Sequence, residues 1–150
     1  MTTAHVDPYQ TLLDIEAIKQ LKARFLRYID TKQWELVRTL LADDARFEID
    51  GRKGHLVLDS PEQFVEYIST SNALSVHHAH MPEIELIDAA NARGIWSTFD
   101  YVDVADGVMY QGFGHYDDTF RKTGSTWLLS SFKLTRLRVD LMANRPQRLF

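Results

Sequence analysis

The second half of the chain is built from alternating runs, and that pattern limits the fold more than any other feature. Residues 74–87, 93–104, 108–121 and 126–139 read as strands; Ile84 and Leu86 alternate with Glu83 and Glu85, and Gly94 to Asp103 alternates again, the period of a strand with one buried face. The separators, Ala89 to Ala92, Ala105-Asp106-Gly107 and Lys122-Thr123-Gly124-Ser125, carry turn residues. Four strands joined by short turns predict an antiparallel meander.

The first half has a different period. Residues 1–10 read as a flexible lead-in, with Pro8 arguing against helix, and residues 11–150 as a single domain. Thr11 with Asp14, or Asp14 alone, is the expected cap. Ile15, Ile18, Leu21, Phe25 and Ile29 then recur at helical spacing, with Lys19, Lys22 and Arg24 placed mostly outside the stripe. Trp34, Val37 and Leu41 predict a short second helix, ended by Ala42-Asp43-Asp44. Phe47 and Ile49 alternate with Arg46 and Glu48, so 45–50 reads as a strand closed by an Asp50-Gly51 turn. Ser60-Pro61-Glu62-Gln63 is a strong helix start, and Thr70-Ser71-Asn72 is the expected stop. Helices first and a sheet afterwards indicate α+β. Such a sheet can curl, with three helices closing one side, around a cone-shaped pocket.

Bulk properties exclude several classes. A formal net charge of -4 argues against a nucleic-acid partner. The absence of cysteine excludes disulfides, thiolate metal sites and a cysteine nucleophile. The N-terminus lacks a signal-peptide pattern, and no apolar run approaches the roughly 18 residues of a membrane span. The expectation is a cytoplasmic protein without a membrane or nucleic-acid partner.

Candidate chemistry concentrates between Ser75 and Tyr101. His77, His78 and His80 open one strand, and Trp96, Thr98 and Asp100 share a face of the next. A histidine, with a reference pKa of about 6.5, can take and return a proton near neutrality. His77 is the candidate general acid or base. A neighbouring carboxylate would fix its tautomer and stabilise the imidazolium, and Asp30 and Asp100 are the candidates. Asp30 can equally cap the second helix, and Asp100 can equally sit at an edge or beside a turn. Tyr28, near the end of the first helix, is a further polar candidate. Phe25, Phe47, Trp96, Tyr110 and Tyr116 are candidate pocket residues, since a cavity is the part of such a core left unfilled. His78 and His80 form an H-x-H pair with Glu85 nearby, a ligand set that suits zinc, iron or manganese. It lacks the glycine-rich approach and the second histidine motif of a cupin site, so no metal is expected. Arg136 and Arg138 read as facing solvent or a subunit partner.

DIEAIKQLKARFLRYIDTKQWELVRTLLADDARFE, VHHAHMPEIEL, the GIW strand running to Asp100, GFGHYDDTFRK and the final LTRLRVD follow one another in order. Together, over about Asp14 to Asp140, they resemble the SnoaL-like family of the nuclear-transport-factor-two-like superfamily. The resemblance implies a curved antiparallel sheet around a hydrophobic pocket behind three helices. It also implies cofactor-independent lyase or isomerase chemistry, such as dehydration, on a hydrophobic cyclic molecule that is steroid-like or polyketide-like. The alternative is a binding protein that holds such a ligand without turnover. The nearest pattern is that of bile-acid 7-alpha-dehydratase. Matched by position, its strand histidine falls on His77 and its strand aspartate on Asp100, while its helix tyrosine is replaced by Phe25. Asp30 matches the acidic residue that closes the first helix in several members and pairs with the strand histidine. Tyr28 lies about one turn beyond Phe25 as a substitute hydroxyl. The family further implies a homodimer or homotrimer.

Overall fold

A computed structural model describes residues 7–51, 54–71, 73–104 and 107–142. Residues 1–6 of the expected lead-in, Asn72 of the expected helix stop and Ala105-Asp106 of the expected turn lie outside the described residues.

The first helix, α1, spans Pro8–Asp30. It starts inside the expected lead-in because Pro8 occupies the first helical turn, where its missing N–H has no role. Asp7 is the cap, its carboxylate accepting from the Tyr9 amide at 3.0 Å. Asp14 is therefore not a cap. It is buried within the helix beside Ile18, Leu21, Lys22, Phe25 and Leu26. Lys22 also departs from expectation, since it is 1% exposed on the inward stripe. Both charges are tolerated inside because each meets a partner: Asp14 accepts from Trp127 Nε1 at 2.9 Å and from Lys122 at 2.7 Å, and Lys22 donates to Asp118 at 2.6 Å.

The second helix, α2, is Trp34–Thr39. The third, α3, is Pro61–Thr70, and Ser60 Oγ accepts from the Gln63 amide at 3.2 Å. Gln63 reaches back to the Asp59 amide at 2.8 Å, closing the start as its sequence predicts.

Six strands follow the order β2-β1-β6-β5-β4-β3 in one open sheet. They are β1 (Leu41–Gly51), β2 (Gly54–Leu58), β3 (Leu74–Leu86), β4 (Asn91–Asp103), β5 (Met109–Thr123) and β6 (Thr126–Met142). Strand β1 begins earlier than its alternation indicates. Leu41 to Asp44, expected to close a helix, are already extended, and β1 runs parallel to β6. That one parallel pair makes the sheet mixed, with the other four pairings antiparallel. It forms because Leu40 and Leu41 dock on the start of β6, where the Leu129 amide donates to Leu40 O at 2.9 Å. The short strand β2 carries no signal as clear as its neighbours' and was not expected.

The core lies between the helices and the concave sheet face. Phe47 stacks on Phe64 at 4.1 Å between ring centroids, and Phe132 and Tyr116 sit 5.1 Å apart beside Phe25. Each fully buried ring of this kind contributes about 1.5–3 kcal/mol of transfer free energy. No helix among the described residues is long and apolar enough to cross a membrane.

Candidate active site

A cavity of about 560 Å³ opens between α1, α3 and the concave face of the sheet. Phe25, Leu26, Ile29, Ile49, Phe64, Phe132 and Leu134 make much of its wall, and the polar groups Ser75, His77, Asp100, Tyr110, Tyr116 and Arg136 break it. Its lower part is the aromatic core; its upper part is where α1 ends against the start of β3.

That junction holds His77. Asp30 is the last residue of α1 and its carboxylate crosses to β3. Oδ1 meets His77 Nδ1 at 2.6 Å and accepts from Ser75 Oγ at 2.9 Å, while Oδ2 accepts from the His77 backbone amide at 2.9 Å. An ionised carboxylate only accepts, so the short contact places a proton on Nδ1 and leaves Nε2 as the basic nitrogen. Asp30 is not a helix cap. Gln33 holds the capping position of α2, without a side-chain bond. The cap reading of Asp30 is thus excluded, and the hydrogen-bond partner of His77 is Asp30 rather than Asp100.

Asp100 faces His77 across the β3–β4 ladder and is 1% exposed on an inner strand rather than at an edge. Its partner is Arg136. Both guanidinium Nη groups donate to the two carboxylate oxygens, Nη2 at 2.7 Å. Arg136 therefore does not face solvent or a subunit. Phe132, Leu134 and Arg136 all line the cavity. Burial disfavours the guanidinium charge, but the Asp100 hydrogen bonds and charge outweigh it and hold the arginine above its ordinary range. Arg136 Nε is buried without a partner among the described residues. Arg138 is exposed and pairs with Asp140 at 2.7 Å.

Room for that pair comes from Gly112, opposite Asp100 on β5. A Cβ there would lie 2.6 Å from Asp100 Oδ1 and press on Arg136 Nη1. The bare backbone at Gly112 is the sequence signal that would have found Arg136. A charged residue at an inward strand position needs both a partner and space, and Gly112 supplies the space.

The remaining candidates divide. Phe25, Tyr110 and Tyr116 line the cavity. Tyr116 is pushed above its usual range by burial. Thr98, on the same strand face as Asp100, donates to the His78 carbonyl at 2.9 Å. Phe47 and Trp96 are not wall residues. Phe47 sits behind Phe64, and Trp96 packs edge-on to Phe120 at 5.8 Å. Tyr28 also stays out of the cavity, half-buried against the core with the Arg27 guanidinium 4.7 Å from its ring. The helix turn that carries Asp30 inward takes Tyr28 to the flank. His78 and His80 lie 5.5 Å apart between ring centroids. Among the described residues they join no group of three potential metal ligands.

The SnoaL-like domain model matches residues 10–133. A curated relative, Probable cyclase FGR4 of Gibberella zeae, is 22% identical over 139 residues, covering 84% of this chain and 93% of its own. Among solved structures, a type 2 hexachlorocyclohexane dehydrochlorinase superposes with a TM-score of 0.82 at 17% identity, covering 95% of this chain and 97% of that one. The type 3 dehydrochlorinase from Novosphingobium barchaimii superposes with a TM-score of 0.79 at 16% identity, covering 93% and 97%. At those identities the likeness is one of fold.

Proposed function

The chain belongs to the SnoaL-like domain family, and from that premise we propose that it is a cofactor-independent lyase or isomerase acting on a hydrophobic cyclic small molecule. The observation that carries the proposal is the 2.6 Å contact between Asp30 and His77 Nδ1 in the wall of an apolar cavity. His77 Nε2 takes a proton from a substrate carbon. The electrons of the broken C–H bond form the new C=C bond, and in an elimination the C–O bond to the neighbouring carbon breaks, its pair leaving with oxygen. The imidazolium then returns its proton to that oxygen, releasing water. Asp30 stays ionised and balances the imidazolium, as the third member of a triad does.

Arg136 faces the negative charge that develops in such a step, and Asp100 holds it in place. Fixed donors in a water-poor site stabilise that charge more than solvent would. The same opening step serves isomerisation, with the proton returned to another carbon. It also serves ring closure by a carbanion, which the cyclase name of the fungal relative favours.

A carrier reading has one observation in its favour. Phe25 offers only a ring to the cavity where the resemblance to the bile-acid dehydratase pattern would place a hydroxyl. One experiment separates the two. The protein is incubated with hydroxylated and halogenated cyclic compounds, and mass spectrometry reads the loss of water or hydrogen halide. His77→Gln is expected to reduce turnover about 10²–10⁴-fold with ligand binding retained. Equal turnover by wild type and His77→Gln overturns the assignment, and binding of the panel without any conversion supports the carrier.

A further inference from the structure

We infer that the cavity's ligand is an amphipathic organic anion, whose carboxylate, phenolate or sulfonate is received by Lys32 while its apolar body fills the aromatic chamber. This names the ligand class for the same cavity, but it concerns binding and holds whether or not His77 performs chemistry.

The argument begins with charge pairing. Of the other basic side chains that line the cavity, Arg136 is already matched by Asp100, and His55 and His77 are held by Asp50 and Asp30 at 2.8 and 2.6 Å. Lys32 lines the same cavity and has no ion-pair partner within 4 Å among the described residues. The nearest carboxylate that acts on it is Asp30, through space. Asp30 has both oxygens committed to Ser75 and His77. The cavity therefore holds one ammonium group whose counter-charge the described residues do not supply.

Two further observations place that ammonium deliberately. Lys32 sits in the left-handed region, with φ of 61°, directly after the end of α1. Glycine or asparagine is ordinary at such a position, and lysine is not favoured there by backbone conformation. Its Nζ lies 5.5 Å from the Trp34 ring centroid, and Trp34 lines the cavity beside it. Partial burial disfavours the charged form of Lys32, and the charge of Asp30 offsets this only in part, leaving the amine below its ordinary range. A bound anion would restore the stabilisation that burial removes. The aromatic ring meanwhile orients the ammonium and offers a flat apolar surface for a ligand ring.

The competing role for Lys32 is purely local. A cation at a helix C-terminus interacts favourably with the helix dipole, and Lys32 stands at that end of α1. A matched pair of fluorescent probes distinguishes the roles. 8-Anilino-1-naphthalenesulfonate and N-phenyl-1-naphthylamine share one aromatic skeleton, and only the first carries an anion. Titration of the full-length protein should give tighter binding of the sulfonate. Lys32→Met should weaken the sulfonate about tenfold, the order expected for losing one partly buried charge contact of ~1.4 kcal/mol, and leave the neutral probe unchanged. Lys32→Arg should keep the preference, and His77→Gln should keep it too. Equal weakening of both probes, or no change in either, overturns the inference. A lowered melting temperature in Lys32→Met with the sulfonate preference intact also overturns it, in favour of the helix-end role.

Discussion

Asp30 holds His77 at two points, the ring Nδ1 at 2.6 Å and the backbone amide at 2.9 Å. One carboxylate thus fixes both the imidazole and the strand that carries it. Asp30 and His77 are 47 residues apart in sequence, so the dyad exists only when helix and sheet have docked. Ser75, two residues before His77, adds a third donor to the same carboxylate.

This geometry predicts the tautomer. In neutral His77 the proton sits on Nδ1, and a two-dimensional ¹⁵N–¹H spectrum of the imidazoles should show a protonated Nδ1 and a bare Nε2. Asp30→Asn keeps the size of the side chain but removes the charge that balances an imidazolium. Turnover should fall by about 10²-fold or more, with binding of a cavity ligand retained. Activity at wild-type level in Asp30→Asn would remove Asp30 from the mechanism.

The Arg136–Asp100 pair makes a stability prediction with an internal control. Removing one partner of a buried pair leaves the other charge alone, at a cost of about 3–5 kcal/mol. Arg136→Met and Asp100→Leu should each lose stability on that scale in urea unfolding. The double variant should lose clearly less than the sum, because it strands no charge. Simple additivity would mean the two residues do not act as a pair.

Gly112→Ala tests the same site from the neighbouring strand. The added methyl group would crowd Asp100 and Arg136, and overpacking of this kind costs about 1–3 kcal/mol. Gly124→Ala also destabilises, through its φ of +62°, yet nothing lies within 4 Å of its Cβ. Ligand affinity should therefore change in Gly112→Ala and stay unchanged in Gly124→Ala. Equal affinity in both would show that the crowding is absorbed without moving the pair.

Asp14 gives the acid limb of stability. Burial pushes its carboxyl up, but hydrogen bonds from Lys122, Trp127 and Gln10 outweigh that and hold it below the usual carboxylate range. A depressed folded pKa contributes stability that is present above the unfolded value of about 3.9 and is lost as pH falls through the folded value. Asp14→Asn should therefore be less stable than wild type at pH 7. The gap should close progressively below about pH 4, read by urea unfolding at several pH values. A gap that stays constant down to pH 2 would contradict this.

The fold was legible in the sequence where one period ran unbroken. The four later strands alternate over a dozen residues or more, and α3 carries its own cap and stop. The alternation put Asp100 on one face of its strand and suggested a histidine nearby, while the register that sets it opposite His77 is fixed only by the paired strands. The elements that escaped depend on contacts distant in sequence. Leu41 to Asp44 are extended because β6 lies alongside, and nothing local in Ala42-Asp43-Asp44 favours strand over helix end. Lys22 and Arg136 are not legible locally because a charged side chain by itself points to exposure. Each is buried only because a carboxylate, 96 or 36 residues away, meets it. Tyr28 misled for a simpler reason: rotation along a helix separates it from Asp30 by about 200°, so both cannot face one cavity.

Lys22 and Asp118 form the second buried pair, and their response to pH should differ from that of Asp14 in sign. Their contact is 2.6 Å, and both side chains are almost wholly shielded, at 2% and 0% exposure. Four aromatic rings surround the ammonium, Tyr116 nearest at 3.8 Å and Phe132, Trp96 and Phe25 within 5.5 Å. Asp118 Oδ1 has no hydrogen-bond partner among the described residues. Burial drives the Asp118 carboxyl up to about 6, against the opposing pull of Lys22, and drives the lysine down against the pull of Asp118. In Lys22→Met that opposing pull is gone, and the carboxyl should rise further. Between the unfolded value of about 3.9 and the raised folded value, the folded chain then binds one proton more than the unfolded chain. Stability must fall as pH rises through that window, by about 1.4 kcal/mol per pH unit for one proton. Urea unfolding of Lys22→Met above about pH 6, where wild-type Asp118 has lost its proton, should therefore show a steep decline relative to wild type. Lys22→Met combined with Asp118→Leu should abolish that slope, because no titrating group is left at the site. A Lys22→Met protein whose stability relative to wild type does not change over this range would mean that water reaches Asp118 and the pair is not the sealed element its geometry describes.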